Sequence, residues 1–411
     1  MTSTALTRRT LLTLAAASAS LAACDRCNSG SKTRVAVIGG GIIGASIAYH
    51  LAEAGADVSL LERGELAGRA SRGTFAWINA SWAKQPRAYH SVNQAGVSGW
   101  HRLEEELGLG VRWGGSLEWF GAQERQAKLA DQIAEQAEWG EPAQMLPRDQ
   151  LELREPNVNF GEASNAALSG NDGAVDPVAA TLLLVEAAKR LGADVRTGCE
   201  VHSVTDTEAS HVRLETSSGN LLADRYVVAT GASVEAPLKL AGIDIPQRST
   251  PGVIVVTRPL PQLINHIIVA PGVHIHQRED GRVVLGEQDG APQTEAHDER
   301  LRDRPNRFPD EDLANQHAAR ILAIAVKFVP RLADADIDDV FIGWRPLPLD
   351  GHPVLGPSLA RPQSYLAIMH SGVTLAPIVG ELAAKEILSG VLADELALYR
   401  PDRAFEGVQR Y

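Results

Sequence analysis

The chain has 411 residues, 44% of them hydrophobic and 22% charged, with a formal net charge of −12. That mixture excludes a disordered chain, a fibre and a multi-span membrane protein, and the length predicts two domains or one domain with a large insertion. The acidic balance argues against a nucleic-acid partner, and three cysteines, Cys24, Cys27 and Cys199, are too few for a disulfide scaffold.

Met1–Ala23 contains Arg8 and Arg9 and no acidic residue. The apolar stretch Leu11–Ala23 is too short to cross a bilayer core of roughly 30 Å and reads as the apolar region of an export signal. The arginine pair resembles a twin-arginine signal, which exports folded proteins, and Leu21-Ala22-Ala23-Cys24 resembles a lipobox. Asp25–Lys32 is polar and fits a tether. The expectation is a protein held to a bacterial membrane by a lipid on Cys24, facing the periplasm or the exterior.

Val35–Ile38 is a short apolar run ending in glycines, as a buried parallel strand would be. Gly39-Gly40-Gly41-Ile42-Ile43-Gly44 turns into a helix reaching about Ala54, which Gly55 stops. Val58–Leu61 forms the next strand and ends at Glu62, completing a β-α-β unit. Val92–Leu107 and Ala122–Glu138 are amphipathic and predicted helical. Asp176 caps a helix with Pro177 in its first turn, running to about Leu191 before Gly192. Val195–Thr197, Glu200–Val204, His211–Thr216 and Arg225–Ala229 follow as strands. Val253–Arg258, Gly272–Gln277 and Arg282–Gly286 read as an antiparallel sheet, and Gln288–Pro309 as a polar surface loop. A last helix, Ile378–Leu388, follows Pro377.

Gly39-x-Gly41-x-x-Gly44 follows a strand and opens a helix, which is the context a dinucleotide fingerprint requires. The first glycine allows the tight turn, the second admits a pyrophosphate, and the third permits close helix–strand packing. Ile42 and Ile43 lie between them, where the helix offers free N–H groups and a positive dipole end. Glu62 can accept hydrogen bonds from ribose hydroxyls. The fingerprint alone does not separate NAD from FAD.

The chain resembles the D-amino-acid oxidase family of flavin oxidoreductases over most of residues 33–395. The resemblance rests on Val35–Arg63, Ala70-Ser71-Arg72-Gly73, Asp172-Gly173-x-x-Asp176-Pro177 and Ala229-Thr230-Gly231-Ala232. It rests further on Gly343-Trp344-Arg345-Pro346 with Asp350-Gly351-x-Pro353, and on His370-Ser371-Gly372-Val373-Thr374. It implies FAD as cofactor, held by the fingerprint with Glu62, Arg63, Ser71, Val201 and Gly231. Ser71 would sit near the phosphates or be a plain turn serine. Val201 would hold adenine through its backbone or be a plain core valine. Gly231 would let the chain approach the cofactor or simply end a strand. Gly372, Val373 and Thr374 would present backbone N–H groups to the flavin N1–C2=O edge.

The resemblance also implies that Arg345 pairs with a substrate carboxylate, a task suited to the guanidinium fork. His274 and His276 alternate with Val273 and Ile275 and point from one sheet face. They either line the substrate cavity, where relatives often carry tyrosine, or are ordinary strand histidines. His370 either tunes the flavin or is structural, and Cys199 is expected to be buried. No cluster has metal-ligand spacing.

The expected fold is α/β, with a Rossmann-type FAD-binding domain in three sequence pieces (33–88, 165–235 and 336–400). An inserted α+β substrate domain (89–164 and 236–335) contains an antiparallel sheet. The expected activity is oxidation of the carbon–nitrogen bond of an amino acid or related amine by hydride transfer to flavin N5. Oxygen or the respiratory chain would take the electrons. The alternatives are a surface lipoprotein keeping the flavin fold as a binding or assembly module, and a NAD-dependent dehydrogenase.

Overall fold

Strand β1 (Arg34–Ile38) alternates its side chains between two cores, which fixes the layering of the whole chain. Val35 and Val37 face one core, whereas Ala36 and Ile38 face another. The structure is a computed structural model that describes residues 32–207, 211–287, 301 and 303–405. The expected signal, the tether, Cys24 and Cys27 lie outside the described residues, as does most of Gln288–Pro309. Among the described residues no helix is long and apolar enough to cross a membrane.

β1 lies in a six-stranded sheet with β2 (Asp57–Leu61), β9 (Asp194–Arg196), β13 (Arg225–Val228), β19 (Val354–Pro357) and β20 (Ser364–Ile368). The order is β19-β20-β13-β1-β2-β9, parallel except for the antiparallel edge strand β19. Its strands come from three separated stretches of sequence. One face carries helices α1 (Ile42–Glu53), α2 (Arg87–Leu107), α5 (Pro177–Arg190) and α8 (Gly372–Ser389). The other is covered by a three-stranded antiparallel sheet, β10 (Val201–Asp206), β11 (Val212–Thr216) and β12 (Gly219–Ala223), with the short α6 (Ala236–Ala241). Cys199 is buried in this second core.

An eight-stranded sheet forms the second layer system, in the order β18-β14-β17-β16-β15-β5-β7-β6. Its strands are β5 (Ser116–Glu118), β6 (Ala143–Pro147), β7 (Asn165–Ser169), β14 (Gln247–Thr257), β15 (Ile267–Ala270), β16 (Val273–Gln277), β17 (Val283–Glu287) and β18 (Ile337–Pro348). Only β15 and β5 run parallel. One side is packed by α7 (Glu311–Phe328) and Leu151 of α4 (Arg148–Arg154). Helix α3 (Gln123–Glu138) packs Leu129 and Ile133 near β6 and β7. Three short strands, β3 (Trp77–Ile78), β4 (Arg112–Trp113) and β8 (Gly173–Ala174), form a small sheet in the order β3-β8-β4.

Several segments differ from the sequence expectations. Asn165–Ser169 and Ile337–Pro348, grouped by sequence with the cofactor-binding pieces, pair into the eight-stranded sheet. Helix α2, grouped largely with the substrate pieces, buries Val92, Val97 and Trp100 in the first core. The polar segment before Asp310 is partly internal: Leu301 and Phe308 are buried, and Asn306 Nδ2 donates to the Ile342 carbonyl at 3.0 Å. Helix α7 is absent from the sequence expectations because it follows that segment without a break in polarity. Asp310 caps it by accepting from the Leu313 N–H at 2.6 Å.

Helix α8 begins at Gly372 rather than after Pro377. An internal proline leaves the carbonyl four residues earlier without its helical donor. Here that carbonyl belongs to Val373, and the fully buried Trp100 donates its indole N–H to it at 2.8 Å. Tertiary structure supplies the missing bond, so the helix continues through the proline. A Cβ at Gly380 would lie 2.4 Å from Ser46 Oγ, so the glycine lets α8 cross α1 closely.

Candidate active site

The fingerprint turn is built from steric necessity. Gly39 has φ of +113°, and a Cβ there would lie 2.4 Å from the Ala229 carbonyl oxygen. A Cβ on Gly44 would fall 1.9 Å from the Gly39 carbonyl oxygen, so the start of α1 sits directly on the turn. Ser71 Oγ accepts from the Ile42 N–H at 2.9 Å, which places its hydroxyl at the helix N-terminus. Glu62 accepts from the Gly40 N–H at 2.7 Å and the Gly64 N–H at 2.8 Å. Glu62, Arg63, Arg69 and Glu200 line a cavity of about 410 Å³ beside this turn. Val201 starts β10 directly after Glu200 with its side chain buried.

Gly231, at φ +58°, follows the end of β13 with open space where a Cβ would point. Its neighbour Thr230 has a buried Oγ1 with no hydrogen-bond partner among the described residues. From the other direction comes the N-terminus of α8, where Ser371 holds the N-cap position without a side-chain capping bond. A Cβ on Gly372 would be 3.4 Å from Ile43 Cγ1, so the N-termini of α1 and α8 adjoin. The first-turn N–H groups of Gly372, Val373 and Thr374 have no acceptor earlier in their helix, and that of Gly372 donates to the His370 carbonyl before the helix at 2.8 Å. The Thr374 hydroxyl is committed elsewhere: it donates to the Trp77 carbonyl at 3.3 Å and accepts from the Asn79 N–H at 3.2 Å. His370 is exposed.

Two converging helix N-termini, a glycine turn that excludes side chains, and an acidic residue at the end of β2 fit a dinucleotide with a pyrophosphate. A family model described as FAD dependent oxidoreductase matches residues 34–386. The chain belongs to this family. It is 29% identical to a glycine oxidase of Bacillus licheniformis over 377 residues, covering 87% of this chain and 94% of that protein. It is 26% identical to an opine oxidase polypeptide of Agrobacterium tumefaciens over 379 residues, covering 89% and 96%. Among solved structures it superposes on glycine oxidase from Geobacillus kaustophilus with a TM-score of 0.80 at 23% identity, covering 91% of this chain and all of that one. L-proline dehydrogenase from P. horikoshii gives 0.78 at 23% identity, covering 90% and 97%. These two likenesses concern the fold.

The FAD-dependent oxidoreductase family makes the chain an enzyme and its cofactor FAD, which removes the NAD-dependent alternative. The residues around the turn suit FAD: Ser71 and the α1 N-terminus for phosphate, Glu62 for ribose, and the α8 N-terminus for an edge that gains negative charge.

In this FAD-dependent oxidoreductase the face of the eight-stranded sheet carries the predicted substrate residues. Arg345 on β18 is partly accessible, and its guanidinium lies flat over Gly252 of β14, where a Cβ would be 2.9 Å from Nη2 and 3.1 Å from Nε. Thr250, not Gly252, is its paired residue across the strands, so Arg345 leans diagonally over the glycine. His274 lies close enough to feel the guanidinium charge. Burial first, and Arg345 second, hold His274 at about 4, so it is neutral at physiological pH.

His274 and His276 do point from one face, since both rings meet Phe75, at 5.4 and 4.7 Å. Their roles separate there. His276 is only 2% exposed, and its Nε2 donates to the Phe75 carbonyl at 2.9 Å. Burial, with Arg278 nearby, pushes it down to about 3. It therefore ties Phe75 to the sheet from a buried position. The segment carrying Phe75 crosses the sheet where Gly73 meets Gly343; a Cβ on Gly343 would be 1.8 Å from the Gly73 oxygen.

Phe75 and Trp77 are the site residues that sequence reasoning missed. Trp77 stands 5.9 Å from His274, ring to ring, and its carbonyl is tied to Thr374. It therefore bridges the sheet face and the α8 N-terminus. Each sits a few residues past the quoted Ala70–Gly73 motif, in a stretch with no periodicity to mark it.

Proposed function

We propose that this enzyme oxidises the carbon–nitrogen bond of an amino acid or related amine whose carboxylate is held by Arg345. The observation that carries this reading is a guanidinium laid on a sheet face beside a neutral histidine. FAD, held by the fingerprint turn with Glu62 and Ser71, would supply the two-electron oxidant that accepts the hydride from the carbon next to nitrogen; the iminium ion left behind would be hydrolysed by water to a carbonyl compound and an amine or ammonia.

The chain's own residues bind and orient. Arg345 offers two parallel N–H donors to a carboxylate, which sets the substrate's rotation as well as its position. His274 stays uncharged, so it adds no second cation against the substrate nitrogen and keeps a ring nitrogen able to accept a hydrogen bond. Phe75 and Trp77 close the sides of this space and limit water. Orientation and an unprotonated amine suffice for this chemistry, and no residue is assigned as a general base. The alkylamine and amino-acid names of the relatives support the substrate class, among them a 4-methylaminobutanoate oxidase from Paenarthrobacter nicotinovorans at 28% identity over 374 residues. Electrons would pass on to oxygen or a respiratory acceptor.

Anaerobic mixing of the flavin-loaded protein with D- and L-amino acids, N-alkyl amino acids and carboxylate-free amines tests the reading. Bleaching of the flavin by a carboxylate-bearing member is expected. A flavin-loaded protein that no member bleaches overturns the assignment and favours a binding module. Arg345→Ala should raise KM for that substrate by about 10-fold or more, the scale of a lost charged hydrogen bond. We further propose that the enzyme works on the outer side of a bacterial membrane, tethered at Cys24, on the strength of the Arg8-Arg9 and Leu21–Cys24 motifs. Export of the folded, cofactor-loaded protein agrees with a twin-arginine signal.

A further inference from the structure

We infer that Asp172 is a positioning residue of this enzyme: its carboxylate fixes the Trp77 indole, and through it the wall between His274 and the N-terminus of α8. Asp172 acts on the substrate in this way only if the Arg345 face is the substrate site proposed above.

Trp77 is held at both ends. Its backbone pairs with Ala174 of β8, and its carbonyl accepts from Thr374 at the start of α8. Its indole N–H donates to Asp172 Oδ2 at 2.9 Å, and Ser116 Oγ donates to the same oxygen at 2.6 Å. Asp172 is itself immobilised, because it is only 2% exposed and its carbonyl accepts from the Gly115 N–H at 2.9 Å. Trp77 packs edge-on against Trp82 at 5.8 Å, and the Trp82 indole donates to a second buried acid, Glu118. Two adjoining indoles, of which Trp77 meets His274, are thus anchored by two buried carboxyl groups.

The anchor is sensitive to protonation. Burial pushes Asp172 up to about 7, against the pull of Ser116, Trp77, Lys84 and Ser81. Burial, together with the Asp172 charge, pushes Glu118 up to about 7 as well, against Trp82, Arg125 and Lys84. A carboxylate accepts from an indole N–H about twice as strongly as a neutral group does. The Trp77 anchor is therefore tight above neutrality and looser below it. Protons need not cross the substrate space to reach Asp172. It also lines a separate cavity of about 190 Å³, on whose wall His101, Glu141, Gln94 and Gln136 stand.

The test uses the flavin-loaded enzyme. Near-UV circular dichroism of the indoles is followed from roughly pH 6 to roughly pH 8 in wild type, Asp172→Asn and Trp77→Phe. KM and kcat are measured over the same range with the substrate found by the bleaching panel. The wild type should show an indole transition near neutrality whose Trp77 part both variants lose, leaving only the part that comes from Trp82 beside Glu118. Asparagine keeps an acceptor oxygen but cannot ionise, so KM in Asp172→Asn should match wild type at the acidic end and exceed it increasingly as pH rises, the ratio at each pH cancelling the substrate-amine protonation that both share. That is a change of about 3- to 10-fold from wild type at the alkaline end, with kcat moved less. Trp77→Phe has no N–H to anchor, and the ratio of its KM to that of wild type should rise with pH in the same way. A transition of undiminished amplitude in Asp172→Asn, or a KM profile matching wild type in either variant, overturns the role. Trp77→Phe decides the matter if Asp172→Asn does not fold. The dichroism arm needs no substrate, so failure of the panel is distinguishable from failure of the anchor.

Discussion

Gly252→Ala isolates the orientation of Arg345 from the stability of the protein. A Cβ at this position would stand 2.9, 3.1 and 3.2 Å from Nη2, Nε and Cζ of Arg345. Carbon and nitrogen atoms settle near roughly 3.5–4 Å, so the guanidinium must lift or slide by about 0.5–1 Å. The backbone at Gly252 lies in ordinary extended territory within β14, with no left-handed φ. Alanine there loses less chain entropy on folding, an effect worth about 0.4–1 kcal/mol in its favour. The far end of a long side chain can move at small cost. Stability should therefore hold or rise slightly, whereas the bidentate pairing with a carboxylate is lost or weakened. Losing a charge-assisted bond costs about 1.5–3 kcal/mol, which is about 10- to 150-fold in KM. Thermal melting and steady-state kinetics with the panel substrate check both halves. A variant that keeps KM within about two-fold of wild type refutes the placement of Arg345 as the carboxylate clamp.

Trp100→Phe should destabilise the enzyme by about 1–3 kcal/mol, because it strips the Val373 carbonyl of its donor. Pro377→Ala restores a helical N–H to that carbonyl, so in its background the Trp100→Phe penalty should shrink; equal penalties in a denaturation double-mutant cycle reject the substitution of one donor for the other. Glu118→Gln should stabilise the protein at alkaline pH. Glu118 is raised to about 7 when folded, so its contribution is full below the ordinary carboxylate range and is lost as pH rises through about 7. The variant's advantage should grow from roughly pH 4.5 to roughly pH 8 by on the order of 2–3 kcal/mol, and a pH-independent difference in melting counts against it. Cys24→Ala should move the protein from the membrane fraction to the soluble one, and unchanged fractionation removes the lipid anchor.

The cofactor end of this enzyme was largely legible from sequence. Gly39, Gly41 and Gly44 encode a local turn, Glu62 closes the following strand, and Asp176-Pro177 starts a helix by capping its own second and third residues. Each of these features is made by residues close in the chain, so local spacing reveals it. Helix α8 was half legible. Its apolar face was visible, but its first turn was hidden behind Pro377, because the bond that rescues it comes from Trp100 on another helix.

The proposed substrate face lay beyond sequence for the same physical reason. Arg345 could be named from its motif, but not the glycine 93 positions earlier that gives its guanidinium a bed. His274 and His276 could be placed on one face by alternation. Only the packing of Phe75 buries one of them and leaves the other beside Arg345. Asp172 reads as a loop residue next to a glycine, and burial between Ser116 and Trp77 turns it into an anchor. Period and turn chemistry are written in neighbouring residues; desolvation and charge proximity arise only when distant strands come together.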